Sequence, residues 1–324
     1  LRLCVASVKD QVGNSGEMVA DANEKSQTQI PESTTQPLSV EHIIQDAGSQ
    51  GIEDFARQVG ADFYRDGHLI FEGQHEIKNT NSANTSHLQT PTPPSRYRLT
   101  VYCEHDTGMY DAVNRGFARA AGEFLAYLNC DEQYVENALQ TVLGFFRTLK
   151  QTDVIFGDAI IINAHGKALA YRQPVVPTLD LMRCGPLGVL TCATFVRTSA
   201  LDRTGIHFDG TLKIVGDYKW YAAMIDSKLQ MKCVSRLTSV FTLLPDNLSK
   251  SQHAKIEGPS WNESDYSTNK FFQHFVLLFY YLRKLCSGHY FPKPCSYSIF
   301  LAGEPSKRTR HKKLILGTRW PSLS

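Results

Sequence analysis

Carboxylates at three places in this 324-residue chain have the types and the spacing that diphosphate and proton-transfer chemistry requires. Asp46, the pair Asp131 and Glu132, and Asp217 follow one another at intervals of roughly 85 residues. One acid can contact a nucleotide, a second can hold a divalent cation on the diphosphate, and a third can take a proton from an attacking hydroxyl. The pattern supplies one candidate for each role. The same acids would also serve as caps of loops and helices, and this interpretation stays open.

The acid pair ends a stretch, residues 104–134, in which a turn, a helix and a strand follow one another. Apolar residues at helical spacing predict a helix over 109–121. The continuous apolar run 124–129 predicts a strand that is buried on both faces of a sheet. In open α/β sheets, ligands collect beyond the carboxyl ends of the strands, which is where Asp131 and Glu132 follow. The sequence therefore predicts a metal or phosphate site at this edge, with a plain acidic loop as the alternative.

Further strands and helices alternate on either side of this stretch. Predicted strands cover residues 3–8, 40–45, 99–103, 153–163, 167–171, 191–197 and 234–244, and predicted helices cover 52–60, 135–150, 179–183, 218–227 and 271–285. This order predicts an α/β fold with a mixed, mostly parallel sheet flanked by helices. We expect one domain over residues 1–250, with a polar insertion at 65–98, and a helical extension with a basic tail over 251–324.

Composition restricts the class of protein only loosely. Hydrophobic residues make up 42% of the chain and charged residues 20%, and the net charge of +2 does not favour nucleic acid as a partner. The eight cysteines include no C-x-x-C pair, which disfavours a structural zinc site. The first ten residues lack the features of a signal peptide, and no apolar run is long enough to span a bilayer. We therefore expect a cytoplasmic protein.

The chain resembles the family 2 inverting glycosyltransferases with a GT-A fold over residues 40–245. The resemblance is strongest in the run EHDTGMYDAVNRGFARAAGEFLAYLNCDE, which is close to the family pattern S-E-x-D-x-G-x-Y-D-A-x-N-K-G-x-x-x-A-x-G-E-x-x-x-x-L-N-S-D-D. It continues through residues 156–158, 193–197, 205–209 and 216–218, which are similar to further blocks of the family. The chain departs from the family pattern at several positions. Glu132 replaces an aspartate, Lys219 stands where the family has glutamate, Ala47 and Ile52 fall in a glycine-rich turn, and Lys9 and Asp10 stand where the family has a P-x-Y/F-N turn.

The resemblance implies a role for each of seven side chains. Those that would contact the nucleotide-sugar donor are Asp46, Asp111, Asn114, Arg115 and Asp131. Asp131 would also bind Mg²⁺ or Mn²⁺ on the diphosphate, assisted by Glu132, and Asp217 would be the general base. The resemblance thus implies a metal-dependent, hexosyltransferase-type enzyme. It would move a sugar from a UDP-linked donor to a hydroxyl of a glycan or lipid-linked acceptor, in the synthesis of cell-surface polysaccharide.

Two other functions and one question of surface contact stay open. The chain could be a degenerate GT-A domain that binds a nucleotide or glycan without turnover. A nucleotidyltransferase is a weaker alternative, because its glycine-rich, lysine-bearing phosphate loop is not visible near residue 10. The apolar run 271–285 and the basic segment 307–313 could form a peripheral contact with an anionic membrane. The alternative is a helix that packs on the core, followed by a solvated tail.

Overall fold

The computed structural model describes residues 1–12, 38–74, 76–78, 95–184, 187–244 and 270–315. The helices of this part of the chain are α1 (Arg2–Lys9), α2 (Ile52–Val59), α3 (Met109–Arg119), α4 (Ala138–Thr148), α5 (Leu179–Arg183), α6 (Thr198–Thr204), α7 (Gly216–Asp226) and α8 (Lys270–Cys286). The strands are β1 (Ser39–Asp46), β2 (Asp62–Arg65), β3 (His68–Phe71), β4 (Glu76–Lys78), β5 (Ser95–Cys103), β6 (Phe124–Leu125), β7 (Gln133–Tyr134), β8 (Val154–Asn163), β9 (Ala168–Arg172), β10 (Thr194–Arg197), β11 (Met231–Leu243), β12 (Lys293–Leu301) and β13 (Glu304–Ile315). Within these described ranges, none of the helices has the length and apolar character needed to cross a bilayer.

The strands form two mixed sheets and a separate hairpin. The first sheet has the order β1-β5-β2-β3, with β4 also paired to β5, and the second has the order β6-β10-β8-β11-β7, with β9 paired to β8. Strands β12 and β13 form the hairpin. The predicted mixed α/β class is confirmed. The prediction of a mostly parallel sheet is wrong, because only three of the ten described pairings are parallel, namely β1 with β5, β2 with β5, and β8 with β11.

Strand β8 is the centre of the second sheet. Nine of its ten residues are buried, and it pairs with β10, β11 and β9. A strand with neighbours in the sheet and covered faces needs an apolar run rather than alternation. Residues 154–162 provide this run except at Asp158, which is buried and accepts a hydrogen bond of 2.8 Å from the Tyr171 hydroxyl. The predicted strand over 153–163 and its antiparallel partner over 167–171 are both confirmed. Helix α4 contacts this sheet through β8 and β11, also as predicted.

The predicted opening strand, residues 3–8, is wrong. These residues form helix α1, and a short 3-10 turn extends it to Val12. Val5, Val8 and Val12 are all buried in the main core cluster. Their spacing of three and four residues suits one face of a helix, whereas a strand would send Val5 and Val8 to opposite faces. The short apolar run is compatible with both patterns, and packing decides for the helix.

The predicted buried strand over 124–129 is correct only for its first two residues. Phe124 and Leu125 pair with β10 in antiparallel orientation, and residues 126–129 are irregular. A cavity of about 600 Å³ lies between this segment and β1, with residues of α3 and α4 in its wall. In the described part of the chain, β1 is hydrogen-bonded to a strand only on its β5 side. The cavity therefore borders the other edge of β1, while residues of both sheets belong to one core cluster.

Two predicted loops are strands where the structure describes them. The insertion predicted at 65–98 contains β3, β4 and the start of β5, while residues 75 and 79–94 lie outside the described ranges. Asp66 and Gly67 have φ of 47° and 81°, so this Asp-Gly pair forms the tight turn between β2 and β3. The helix predicted at 271–285 is confirmed as α8. The basic segment 307–313, predicted as a solvated tail, belongs to β13.

Candidate functional site

Glu132 is the most deeply buried of the predicted site residues. It lies in the turn before β7, its exposed fraction is 1%, and its Oε2 accepts a hydrogen bond of 2.7 Å from the backbone N–H of Asn129. Its Oε1 is buried and has no hydrogen-bond partner among the described residues. Burial raises the pKa of Glu132 to about 7. A buried carboxylate oxygen without a partner is costly, so a cationic ligand would relieve a real deficit at this position.

Asp131 precedes Glu132 and is half-buried. Its backbone carbonyl accepts a hydrogen bond of 2.5 Å from the hydroxyl of Thr242 in β11, and Glu132 closes the turn by donating its N–H to the carbonyl of Asn129 at 3.0 Å. Burial raises the pKa of the Asp131 carboxyl. The second sheet thus holds Asp131 through its backbone, the turn holds Glu132, and the Asp131 carboxylate has no side-chain partner among the described residues.

Asp217 stands in the first turn of α7. Its Oδ1 accepts a hydrogen bond of 2.8 Å from the N–H of Tyr218, and burial raises the pKa of its carboxyl to about 6. Gly216 lets the helix start here, because a Cβ at this position would collide with the ring of Tyr110 in α3. The close contact between α7 and α3 therefore fixes the position of Asp217. A carboxyl with this pKa is ionised at neutral pH and binds a proton more readily than an ordinary aspartate.

Asp217 and Glu132 act on the same pair of tyrosines. Besides burial, the charges of both acids raise the pKa values of Tyr127 and Tyr221. Tyr221 is fully buried, and its hydroxyl lies 2.8 Å from the hydroxyl of Thr194 in β10. The two acids, which are 85 residues apart in the sequence, thus both act electrostatically on these tyrosines, although neither contributes to the pKa shift of the other. The sequence analysis missed these tyrosines, because each stands in an apolar run that looks like core.

Three of the predicted donor-binding side chains are engaged within the protein. Asp111 accepts hydrogen bonds from the N–H of Thr107 at 2.9 Å and from Arg115 at 3.1 Å, and Arg115 lowers the pKa of Asp111. Asn114 exchanges two hydrogen bonds, of 2.8 and 2.9 Å, with the backbone of Phe208. These contacts cap α3 and fasten it to the loop before α7. The predicted donor-binding role of these side chains stays a prediction.

Asp46, the predicted nucleotide contact, ends β1. Its Oδ1 accepts hydrogen bonds from the N–H groups of Gly48 at 2.9 Å and Ser49 at 2.6 Å, which makes a tight turn at the carboxyl end of the strand. Gly48 has a φ of 103°, a conformation that glycine adopts without strain. The backbone carbonyl of Asp46 accepts a bond of 2.9 Å from the N–H of Glu104, which follows β5. No contact between described residues joins Asp46 directly to Asp131 or Asp217.

The cavity between the two sheets is distinct from these acids. Its wall consists of residues of α1, β1, α3, α4 and the segment Gly122–Cys130, and most of them are apolar. None of the seven predicted site residues is part of this wall. Gln45, Tyr127 and Cys130 do line it, so the cavity reaches the chain neighbours of Asp46 and Asp131 without including the side chains of these two acids.

The acid pair fits a magnesium or manganese ion that is also held by substrate. In the described ranges, no group of three or more His, Cys, Asp or Glu side chains could hold a metal by itself. Mg²⁺ at phosphate sites commonly takes one or two carboxylates and completes its octahedron with phosphate oxygens and water. Among the described residues, the Asp131 carboxylate has no side-chain partner and Oε1 of Glu132 has no hydrogen-bond partner. These two residues would hold the ion.

Comparison with known proteins gives sequence relatives over part of the chain. No family model matches it. The PGL/p-HBAD biosynthesis glycosyltransferases of Mycobacterium bovis and Mycobacterium tuberculosis are 29% identical to it over 111 residues, which is 34% of this chain and 40% of theirs. The chain therefore matches less than half of the length of these curated relatives. Over the matched part, it is similar in sequence to glycosyltransferases.

Solved structures with a more distant likeness include those of TarS from Staphylococcus aureus. Staphylococcus aureus TarS 1–349 in complex with UDP has a TM-score of 0.37 and 14% identity, covering 59% of this chain and 56% of TarS 1–349. The complex with UDP-GlcNAc has a TM-score of 0.37 and 12% identity over the same shares. At these values, the likeness assigns neither an activity nor a ligand to this chain.

Proposed function

We propose that this protein is a metal-dependent inverting glycosyltransferase that moves a sugar from a UDP-linked donor to a hydroxyl of a glycan or lipid-linked acceptor. The observation that carries the proposal is Glu132, a buried carboxyl beside Asp131 with a raised pKa and one oxygen without a hydrogen-bond partner among the described residues. The acid pair fits a metal-bound diphosphate, and Asp217, whose pKa is also raised, supplies a candidate base. The sequence similarity to glycosyltransferases over 111 residues supports the same class, and the motif resemblance suggests the UDP-linked donor.

Asp217 is the general base in this proposal. Its pKa of about 6 leaves it ionised at neutral pH, and it is closer to the working pH than an ordinary aspartate, which favours proton transfer from the acceptor hydroxyl. The start of α7 holds the carboxylate in place, because Gly216 packs directly on Tyr110. The hydroxyl attacks the anomeric carbon from the face opposite the leaving nucleoside diphosphate, which inverts the configuration at that carbon.

Asp131 and Glu132 hold the divalent cation in this proposal. The ion, when bound, neutralises the charge that develops on the leaving diphosphate. Burial makes an isolated Glu132 carboxylate costly, so its pKa stands at about 7. A positive charge beside Oε1 would favour the ionised form, which ties metal binding to deprotonation of this residue.

The decisive experiment is a transfer assay with purified protein, Mn²⁺, a panel of UDP-sugars and glycan acceptors. Asp217→Asn should lower kcat by roughly 10²–10⁴-fold and leave UDP binding intact, because it removes the base but keeps the shape of the side chain. Asp226→Asn is the matched control, since Asp226 is exposed at the other end of the same helix. Unchanged turnover in Asp217→Asn would contradict the proposed mechanism.

One observation favours the second candidate, a degenerate GT-A domain that binds a nucleotide or glycan without turnover. The side chains of Asp46, Asp111, Asn114 and Arg115 all make hydrogen bonds inside the protein. A donor would have to displace or extend these bonds. Calorimetry separates the two candidates, because a scaffold would bind UDP without any hydrolysis or transfer, and Asp217→Asn would not change its behaviour.

A further inference from the structure

Helix α8 directs its more apolar face to solvent. Nine of the twelve large apolar side chains that are exposed in the described ranges belong to residues 271–291. They are Phe271, Phe272, Phe275, Leu278, Phe279, Tyr281, Leu282 and Leu285 of the helix, together with Phe291 just beyond it. Phe271, Phe275 and Phe279 are 79%, 60% and 66% exposed. Exposed apolar residues scattered singly are ordinary, but a group of this size on one element indicates a binding surface.

The exposed residues form one stripe, which we call the α8 stripe. At 3.6 residues per turn, positions 271, 275, 278, 282 and 285 follow one line along the 17-residue helix. The opposite face already packs on the protein. Tyr280 is buried there in a cluster with Val175 and with Leu181 of α5, and Lys284 is buried beside the Tyr280 ring. The stripe is therefore an additional apolar face, outside the core of the protein.

The charges of α8 favour an anionic surface. The helix contains no Asp or Glu. Lys270 and Arg283 are both exposed, and the helical period places them on opposite borders of the α8 stripe. An apolar stripe bordered by cations is the pattern of helices that lie in the headgroup region of a bilayer, with apolar residues among the acyl chains and cations among the phosphates.

A second copy of the protein fits this surface less well. If two α8 stripes packed against each other, Lys270 and Arg283 of both copies would border the contact. In neither the parallel nor the antiparallel orientation would the partner helix supply a carboxylate to these cations, because α8 contains no Asp or Glu.

We propose that the α8 stripe docks the protein on an anionic lipid bilayer. The helix lies in the plane of the membrane, with its phenylalanine and leucine side chains in the acyl boundary and with Lys270 and Arg283 at the phosphates. This docking does not depend on transferase activity. One consequence rests on the proposed function: α5 contacts both α8 and α7, so docking would bring a lipid-linked acceptor to the side of the protein where α7 carries Asp217.

Vesicle binding of the full chain tests the proposal. Co-sedimentation with phosphatidylcholine vesicles is compared with that on vesicles that also contain phosphatidylglycerol. We expect binding to the anionic vesicles that weakens as salt is added. Replacing Phe275 and Phe279 by serine should lower the partition coefficient at least ~10-fold, since two apolar side chains leave the bilayer. Replacing Lys270 and Arg283 by glutamine should weaken binding to anionic vesicles and reduce its salt dependence.

The control removes two exposed apolar residues from another surface. Leu69 and Ile70 in β3 are 45% and 46% exposed, and their replacement by serine should leave vesicle binding unchanged. Circular dichroism and thermal unfolding confirm that each variant is folded. Absence of binding to anionic vesicles overturns the proposal, as does equal binding by the Phe275 and Phe279 variant. A dimer that this variant dissociates, with no vesicle binding, would assign the stripe to a second copy. None of these readouts uses sugar transfer, so the proposal and the proposed function can fail separately.

Discussion

The ammonium group of Lys219 lies 2.6 Å from the carboxylate of Asp209. Lys219 follows the candidate base Asp217 by two residues in α7. Lys219 lowers the pKa of Asp209, and the hydroxyl and N–H of Thr211 contribute further. The ion pair joins α7 to the loop that precedes it. The family that this chain resembles has glutamate at the position of Lys219. Here the lysine binds the loop before α7, and Asn114 binds the same loop by accepting a hydrogen bond from the N–H of Phe208.

Lys219→Met should destabilise the protein by less than about 1 kcal/mol at neutral pH, because half of the lysine side chain is exposed. The folded pKa of Asp209 lies below its unfolded value, so the pair stabilises the protein above the unfolded pKa. The difference between wild type and variant should then vanish as the pH falls through the folded pKa. Urea unfolding at neutral and acidic pH measures it. A loss of stability in Lys219→Met that is the same at all pH values would show that the ion pair is not its cause.

The turnover rate should depend on pH through Asp217. The base must be deprotonated to accept the hydroxyl proton, so kcat should rise with pH, with an apparent pKa of about 6, and then level off. Asp217→Asn should remove this limb along with most of the activity. The measurement is a pH–rate profile with a saturating UDP-sugar donor. A rate that falls between pH 5 and 7, or an unchanged limb in Asp217→Asn, would assign the base to another residue.

Two glycines in helices should respond to the same substitution with opposite signs. Gly216→Ala places a methyl group against the Tyr110 ring, which is stacked on Phe208 and donates its hydroxyl to the carbonyl of Ile214. Because the ring is held on both sides, we expect a loss of about 1–3 kcal/mol. Gly144→Ala in α4 meets no atom within 4 Å and should stabilise by about 0.5–1 kcal/mol. Urea unfolding of both variants checks the pair, and equal effects would refute the packing argument.

Much of the fold could be predicted from periodicity and turn chemistry. Elements whose apolar residues follow a single period, either that of a helix or that of a strand, lie close to their predicted positions. These are the β8–β9 hairpin and helices α2, α3, α4, α5 and α8. Helix α1 was missed because the six-residue run 3–8 fits both the helical and the strand period. Strand β13 was missed because its residues are polar on both faces.

Strand β13 pairs with β12, and its position depends on contacts with residues that are far away in the sequence. Arg308 donates to the carboxylate of Asp10 at 2.6 Å and to the carbonyl of Tyr134 at 3.1 Å, across most of the chain length. The same limit applies to the site. The residue types and their strand-end positions pointed to Asp131 and Asp217, but the pKa values of these acids come from tertiary burial. The neighbouring tyrosines could be found only in three dimensions.

The last prediction concerns the unpartnered oxygen of Glu132. The folded pKa of Glu132, about 7, lies above its unfolded value. Between these two values the folded state binds more protons, so the contribution of Glu132 to stability is full below the unfolded pKa. It is lost as the pH rises through about 7. The free energy of unfolding of the wild type should therefore fall by an amount of the order of 2 kcal/mol between pH 5 and 8. Glu132→Gln removes the titrating group, so this variant should not show the decrease.

Mn²⁺ gives this prediction a second readout. A cation beside Oε1 favours the ionised carboxylate, so Mn²⁺ with UDP should raise the Tm of the wild type most strongly at alkaline pH. Glu132→Gln should show little of this gain. Asp153→Asn serves as a control, since Asp153 is also buried but is bound to Arg203 at 2.8 Å and to the N–H of Gln230 at 2.8 Å. If Mn²⁺ raised the Tm of Glu132→Gln as much as that of the wild type, Glu132 would not be a metal ligand, and Asp131 would have to hold the ion without it.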